Sequence, residues 1–239
     1  MDINLGEKRA EEIISVKLEK EIRINDEVYD LISNLFGEIS GKVKDVELNP
    51  FQIVLLLLST RLLSDLRSLR ILATKGYVVS AMNIACSIFE NTLIIQFISN
   101  NNNESRAKKW LEHTNEENSV WKTGGMLNDL KLKDTKGVFW KYLCMFKHLN
   151  PKIMAVLNIT GNEKEFTLNP GPETTDRAFF WIGFLLIATS GWIMDIFKDV
   201  SNLFMSYHSN KENWKIDYDR IHKEIEGYLK LMLTVIDDN

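Results

Sequence analysis

The chain has little that interrupts a helix: four prolines and 12 glycines in 239 residues. That scarcity excludes collagen-like and Pro/Gly-rich low-complexity architectures. Cysteine is scarce too. Cys86 and Cys144 form no C-x-x-C or Cys/His cluster, so neither a structural zinc site nor a disulfide framework is expected. Both lie in apolar stretches, where they read as buried free thiols of a reducing compartment. Basic charge is not in excess: 29 Lys and Arg face 33 Asp and Glu, for a net charge of -4. Such a balance offers no overall field for DNA or RNA. Sustained alternation of apolar and polar residues is missing, which argues against a sheet, and no repeat recurs at the spacing of a solenoid. Walker, dinucleotide-binding, Ser–His–Asp and metalloprotease patterns are absent as well, and no metal or cofactor is expected. The opening Met1-Asp2-Ile3-Asn4 lacks the basic-then-apolar plan of a signal peptide, so a cytoplasmic location is expected.

What remains is helix. Apolar residues make up 45% of the chain and charged residues 26%, the balance of an ordinary folded domain. Ile13, Ile14, Leu18, Ile22, Val28, Leu31, Ile32 and Leu35 place one broken helix or two consecutive helices in the first 40 residues. Asn49-Pro50 reads as an N-cap followed by proline at the first helical position, and Gly76 as a left-handed C-cap. Residues 50–75 and 77–100 therefore form a central antiparallel hairpin with a very short turn. A helix from Glu104 to about His113 follows the asparagine tract 100–103. Gly124-Gly125 reads as a break before a short helix over Met126 to Lys133, and Thr135 to His148 as another helix. Ile153 to Asn158 extends to a turn or more, and Thr160 to Pro172 is the clearest loop. Thr174 or Thr175 caps a long helix from Asp176 towards Phe204, and Tyr218 to Ile236 is a last amphipathic one. The expectation is an all-α, single-domain bundle of about seven or eight helices spanning 1–239.

Ala178 to Met194 runs without a charge between Arg177 and Asp195, at the short limit for a membrane span. Thr189, Ser190, Gly183 and Gly191 within it, and the charges at both ends, favour the central helix of a bundle. No membrane contact is expected, with 178–194 as a membrane helix the minor alternative.

The helix over 77–99 carries a polar line on an apolar rod. Ser80, Asn83, Ser87 and Glu90 or Asn91 recur at the spacing of one helical face. Either this line reaches solvent or it meets polar groups inside. The hairpin partner supplies Arg61, Asp65, Arg67 and Arg70, and Arg61 and Asp65 are spaced to pair along their own helix. One reading is a structural ion pair or a solvated strip. The other is a cleft binding a ligand through Arg61, Arg67, Arg70, Ser87, Glu90 and, from the following helix, His148.

The order Arg67 and Arg70, Gly76, Ala81 or Ala85, Ile88-Phe89-Glu90 and then Arg106-Ala107-Lys108-Lys109-Trp110 resembles a bacterial all-helical group catalogued as domain of unknown function 5677. Tyr142, Cys144 and His148-Leu149-Asn150-Pro151 look like its later region, so the resemblance covers roughly residues 51–155. It implies an all-α bundle in the cytoplasm and no particular activity. On that footing the chain divides into an N-terminal helical arm (1–45), a family-like core (50–158) and C-terminal long helices (174–239). A looser similarity is to the HEPN ribonucleases, helical bundles whose dimer interface presents an arginine and a histidine. Arg106 and His113, with six residues between them, fit that spacing, although Ala107 stands where a polar residue is usual. Histidine would act as acid or base on a 2′-hydroxyl and arginine would hold the phosphate, without a metal.

Three functions follow as expectations. The first is an interaction or regulatory module of a bacterial stress or anti-phage system, with a protein partner or a second copy. The second is a HEPN-like ribonuclease acting on RNA through Arg106 and His113, and the third a small-ligand sensor using the polar cleft. DNA is not expected as a partner. Trp110, Trp121, Phe139 and Trp140 are a candidate apolar patch, with core packing the expected use.

Overall fold

The computed structural model describes residues 3–43, 46–100, 103–113, 120–147, 171–204 and 208–237. Among them there are nine helices and no strand: α1 (Ile3–Lys17), α2 (Glu19–Lys42), α3 (Pro50–Thr74), α4 (Val78–Ser99), α5 (Asn103–Leu111), α6 (Thr123–Asp129), α7 (Lys133–Lys147), α8 (Asp176–Phe204) and α9 (Lys211–Asp237). This is the expected all-α bundle, with nine helices described where about seven or eight are expected; the N-terminal segment divides into two consecutive helices at Leu18, and the short helix expected after Gly125 is α6. Gly124 and Gly125, expected as a break, lie inside α6. Two glycines raise the cost of a helix, but by too little to break it when Met126 and Leu127 are buried beside them. The turn at 153–158 and most of the 160–172 loop lie outside the described residues.

The hairpin α3–α4 is the frame. Asn49 and Gln52 form a reciprocal capping box: the Gln52 N–H donates to Asn49 Oδ1 at 2.9 Å, and the Asn49 N–H to Gln52 Oε1 at 3.0 Å. At the other end Gly76 has φ 82°, the Gly76 N–H donates to the Ala73 carbonyl at 3.0 Å, and the Tyr77 N–H to that of Leu72 at 2.9 Å. Those two bonds close α3 in a Schellman motif and reverse the chain within three residues.

Around this hairpin the other helices gather on α8. Ile182, Leu185, Leu186, Ile187, Ile193, Met194 and Phe197 of α8 are all buried, and α2, α3, α4 and α9 pack against it. Helix α2 presents Ile22, Val28, Ile32, Leu35 and Ile39, an apolar stripe at helical spacing, and all five are buried. Between α2 and α8 sits Asn25, 1% exposed, whose carboxamide nitrogen donates to Ser190 Oγ at 3.0 Å and to the Leu186 carbonyl at 3.3 Å. Phe89 of α4 joins α7 to α8, stacked on Trp140 at 5.7 Å and edge-on to Trp192 at 5.1 Å. Trp110, Trp121, Phe139 and Trp140 pack half-buried on the core, so they form no open patch. By length and composition both Val78–Ser99 and Asp176–Lys198 are apolar enough to cross a membrane. In this fold 78% of the apolar window of α8 is buried against other helices, the enclosure expected of a central helix.

Gly76 meets a further constraint. A Cβ there would stand 2.8 Å from the Glu173 nitrogen and 2.9 Å from its carbonyl oxygen, because the segment entering α8 lies directly on the turn. The Glu173 N–H donates to the Gly76 carbonyl at 3.0 Å. Gly76→Ala is therefore expected to destabilise by about 2 kcal/mol or more through left-handed strain and backbone contact together. Gly37→Ala, on an open part of α2, is expected to leave the melting temperature equal or higher. Thermal denaturation of the two variants checks both.

Candidate functional site

The polar line of α4 runs along an edge of the hairpin, half inside and half outside. Ser80 and Asn83 are exposed, and Ser87, Glu90 and Asn91 are half-buried. At its centre is Asp65 of α3, 4% exposed, which accepts from Ser87 Oγ at 2.8 Å and from Nε of Arg61 at 3.0 Å. A buried carboxylate left unpaired costs several kcal/mol, so a serine from α4 and an arginine one turn away on α3 meet its needs. The Arg61 side chain is itself 63% exposed, so its charge is largely solvated.

Glu90 has another partner. Its carboxylate pairs with Nζ of Lys147 at the end of α7, 3.2 Å away, and not with an arginine of the hairpin. Cys86 is buried nearby, and that burial, reinforced by the Glu90 charge, pushes its thiol up to about 12. Cys144 is raised for the same two reasons. Neither thiol is activated, in keeping with inert free cysteines. Further along α4, Gln96 accepts from Nζ of Lys136 at 3.2 Å, and burial lowers the pKa of that ammonium group.

The remaining expected ligands go elsewhere. Arg70 makes a bidentate pair with Asp26 of α2 at 3.0 and 3.1 Å, and Arg67 stands 3.9 Å from the same carboxylate. Arg67 and Arg70 thus clamp α3 to α2 and do not join the Ser87–Glu90 line. The reason is rotational: they fall on the face of α3 turned towards α2, whereas Asp65 faces α4. His148 lies outside the described residues.

The Arg106–His113 pair does not share a helical face, because α5 ends at Leu111 and His113 lies beyond it. Arg106 turns back to the end of α4, donating to the carbonyls of Phe97 and of Asn100, the latter at 2.7 Å. Its guanidinium also lies 3.8 Å from the centre of the Phe97 ring. These contacts satisfy carbonyls that a helix C-terminus leaves open.

A second polar site escaped the sequence reading. A groove of about 660 Å³ opens between α2 and the start of α9, its walls including Leu31, Asn34, Glu38, His208, Asn213 and Asp217. One oxygen of Glu38 accepts from the Ser209 N–H at 2.9 Å and the Ser209 hydroxyl at 2.8 Å, and lies 2.9 Å from Nδ1 of His208. The backbone and hydroxyl bonds from Ser209, helped by His208, hold the Glu38 carboxyl down at about 2. The Asn210 N–H donates to Nδ1 of His208 at 3.3 Å, so that ring nitrogen sits between Glu38 and the start of α9. His208 is 8% exposed and meets the edge of Trp214, which stacks on Tyr218, which in turn stacks on His222. Ser206-Tyr207-His208-Ser209 reads as a loop or a frayed helix end in the sequence, and the partner of His208, Glu38, stands 170 positions away. The one local signal is Ser209-Asn210 before the α9 repeat, which has the character of a helix start.

Residues 52–132 match the model of a family of unknown function (DUF5677). The resemblance read from the hairpin therefore holds from α3 to just past α6, a shorter span than the expected 51–155. No curated protein and no solved structure matches the chain.

Two outcomes are expected. Asp65→Ala destabilises by about 2 kcal/mol, Ser87→Ala by about 1 kcal/mol, and the double variant by less than their sum, since both remove one hydrogen bond. Urea titrations give the coupling. For Glu38 the sign is set by a folded pKa below the ordinary 4.5: its contribution is complete above about pH 4.5 and is lost as pH falls towards about 2. Glu38→Gln should therefore be less stable than the parent at pH 6, and the gap should close across that window.

Proposed function

We propose that the protein is an interaction module whose docking element is the open edge of the α3–α4 hairpin. The observation that carries this reading is the exit of the α4 polar line to solvent. A helix that is otherwise apolar keeps Ser80 and Asn83 exposed, with Ser87 half-buried behind them. Small uncharged side chains let another backbone approach closely. Beside them one face of α3 carries Leu57, Arg61, Ser64 and Ile71 at helical spacing. Leu57 is 52% exposed and Ile71 44%, so the edge combines aliphatic anchors with the solvated Arg61 charge. That mixture, apolar points within a polar surround, is the anatomy of a transient protein interface. The whole edge falls within the segment matched by the family model. The occupant proposed is a helical surface of a partner protein, met in the cytoplasm.

This reading favours recognition over ribonuclease chemistry because Arg106 is already engaged with the carbonyls that end α4. It leaves the Arg61–Asp65–Ser87 cluster as the scaffold of the edge and not as a ligand pocket.

A photo-crosslinking amino acid placed singly at Ser64 or Asn83, with exposed Val16 on α1 as a control, tests the proposal in cells producing the full chain. Val16 is 80% exposed. The expected result is one discrete adduct from both hairpin positions and none from Val16, weakened several-fold by Leu57→Asp. Equal crosslinking from all three positions, or none from the hairpin, would sink the idea. An adduct with RNA would overturn it in favour of a nucleic-acid ligand.

A further inference from the structure

Charge is unevenly spread along this acidic chain. Residues 120–147, which include α6 and α7, carry six lysines against two aspartates, with no glutamate and no arginine. Two of the lysines are engaged within the fold: Lys136 with Gln96 and Asp195, and Lys147 with Glu90. The other four, Lys122, Lys131, Lys133 and Lys141, are exposed, and none forms an ion pair among the described residues. Helix α7 turns one face to α4, where Trp140 meets Phe89, Lys136 meets Gln96 and Lys147 meets Glu90. Lys133, Gly137 and Lys141 recur every four residues along an adjoining face.

That face is open at its centre. A Cβ at Gly137 would meet the Cγ of Lys133 at 3.7 Å and nothing else within 4 Å, so the Lys133 stem lies along it. The helix backbone is therefore bare between two lysines that stand about 12 Å apart along the axis. A second observation comes from the turn before α7. Lys131 has φ 55°, the left-handed region, and is the one non-glycine residue found there among the described residues. Its N–H donates to the Asn128 carbonyl at 3.0 Å and the Leu132 N–H to that of Leu127 at 2.9 Å, a Schellman motif whose favoured residue at this position is glycine. A lysine is thus held against the preference of its own backbone, two residues before Lys133.

We propose that the face formed by Lys131, Lys133, Gly137 and Lys141 binds the phosphodiester backbone of a nucleic-acid strand without regard to base sequence. Composition separates the classes of partner. Protein interfaces are anchored on aromatic residues and arginine and are poor in lysine. Carboxylates are best met by the guanidinium fork, and arginine is absent from 120–147. A membrane surface calls for an apolar anchor beside the lysines, and no exposed large hydrophobic falls among the described side chains of this segment. Lysines acting as point charges on a helix bared at its middle suit a row of phosphates, where release of counterions supplies the affinity.

The test is fluorescence anisotropy of a labelled oligouridylate about 12 nucleotides long, titrated with the full chain at several salt concentrations. The expected result is saturable binding whose logarithm falls with log salt at a slope of about -2 to -3, as for three or four phosphates neutralised on a single strand. An oligoadenylate of the same length should bind within about threefold of it. Gly137→Glu sets a carboxylate four residues from each of two lysines, so it should melt no lower than the parent and weaken binding at least tenfold. Gly227→Glu, the same change at an exposed and open position of α9, should leave binding within twofold. Lys131→Gly should melt higher than the parent, weaken binding about threefold and reduce the salt slope by roughly 0.7. Equal loss in the two glycine variants would reduce the effect to net charge and overturn the proposal. So would Lys131→Gly binding as tightly as the parent, a polyglutamate competing as well as the oligonucleotide, or phosphatidylserine vesicles bound where the oligonucleotide is not. None of these outcomes bears on the hairpin edge, whose crosslinking is read separately.

Discussion

A helix without a polar face must be covered on every side, and α8 is such a helix. From Ala178 to Met194 it offers no charge to solvent, and burial of most of that perimeter sets the architecture. Helices α2, α3, α4 and α9 pack around it. Helix α4 is nearly as apolar but is enclosed over less of its surface, and its polar line lies where the cover ends. The open hairpin edge is thus a consequence of how the core is closed, as is the cleft where α9 leans on α2.

Charge follows the same logic at smaller scale. Arg70 binds Asp26, Arg23 binds Glu27 and Glu224, and Arg220 binds Glu27, so α2 is laced to α3 and α9 by pairs along its solvent margin. Most of these side chains are half exposed, and each pair contributes little by itself. Their effect is orientational: they hold α2 at the angle that keeps Glu38 within reach of the turn before α9. Asp65 and Glu21 differ, being buried carboxylates: Asp65 accepts from Arg61 and Ser87, and Glu21 from the Tyr228 hydroxyl.

The elements legible in the sequence were those specified by near neighbours. Asn49-Pro50, Gly76 and Thr175 act within one turn of a helix, and each sits where its chemistry predicted; the Thr175 hydroxyl accepts from the Ala178 N–H at 3.2 Å. The Arg61–Asp65 pair, four positions apart on one helix, was legible for the same reason. Spacing failed where a helix stopped early, as between Leu111 and His113, because a periodicity argument assumes the helix it needs. It failed again where rotation about a helix axis decides the partner. Arg61 and Arg70 look equivalent in a list of basic residues yet serve opposite faces of α3. The Glu38–His208 pair lay beyond any local rule, since a contact across 170 positions depends on the packing of two helices that neither residue specifies.

Asn25 has a consequence for the uniqueness of this packing. An apolar interface between α2 and α8 would tolerate sliding, since one leucine replaces another after a helical turn of about 5.4 Å. The carboxamide of Asn25 meets a hydroxyl and a carbonyl at one setting, and a slip of a single turn would strand it among hydrocarbon. A buried amide thus works as a register pin, trading some burial energy for a single alignment of α2 on α8.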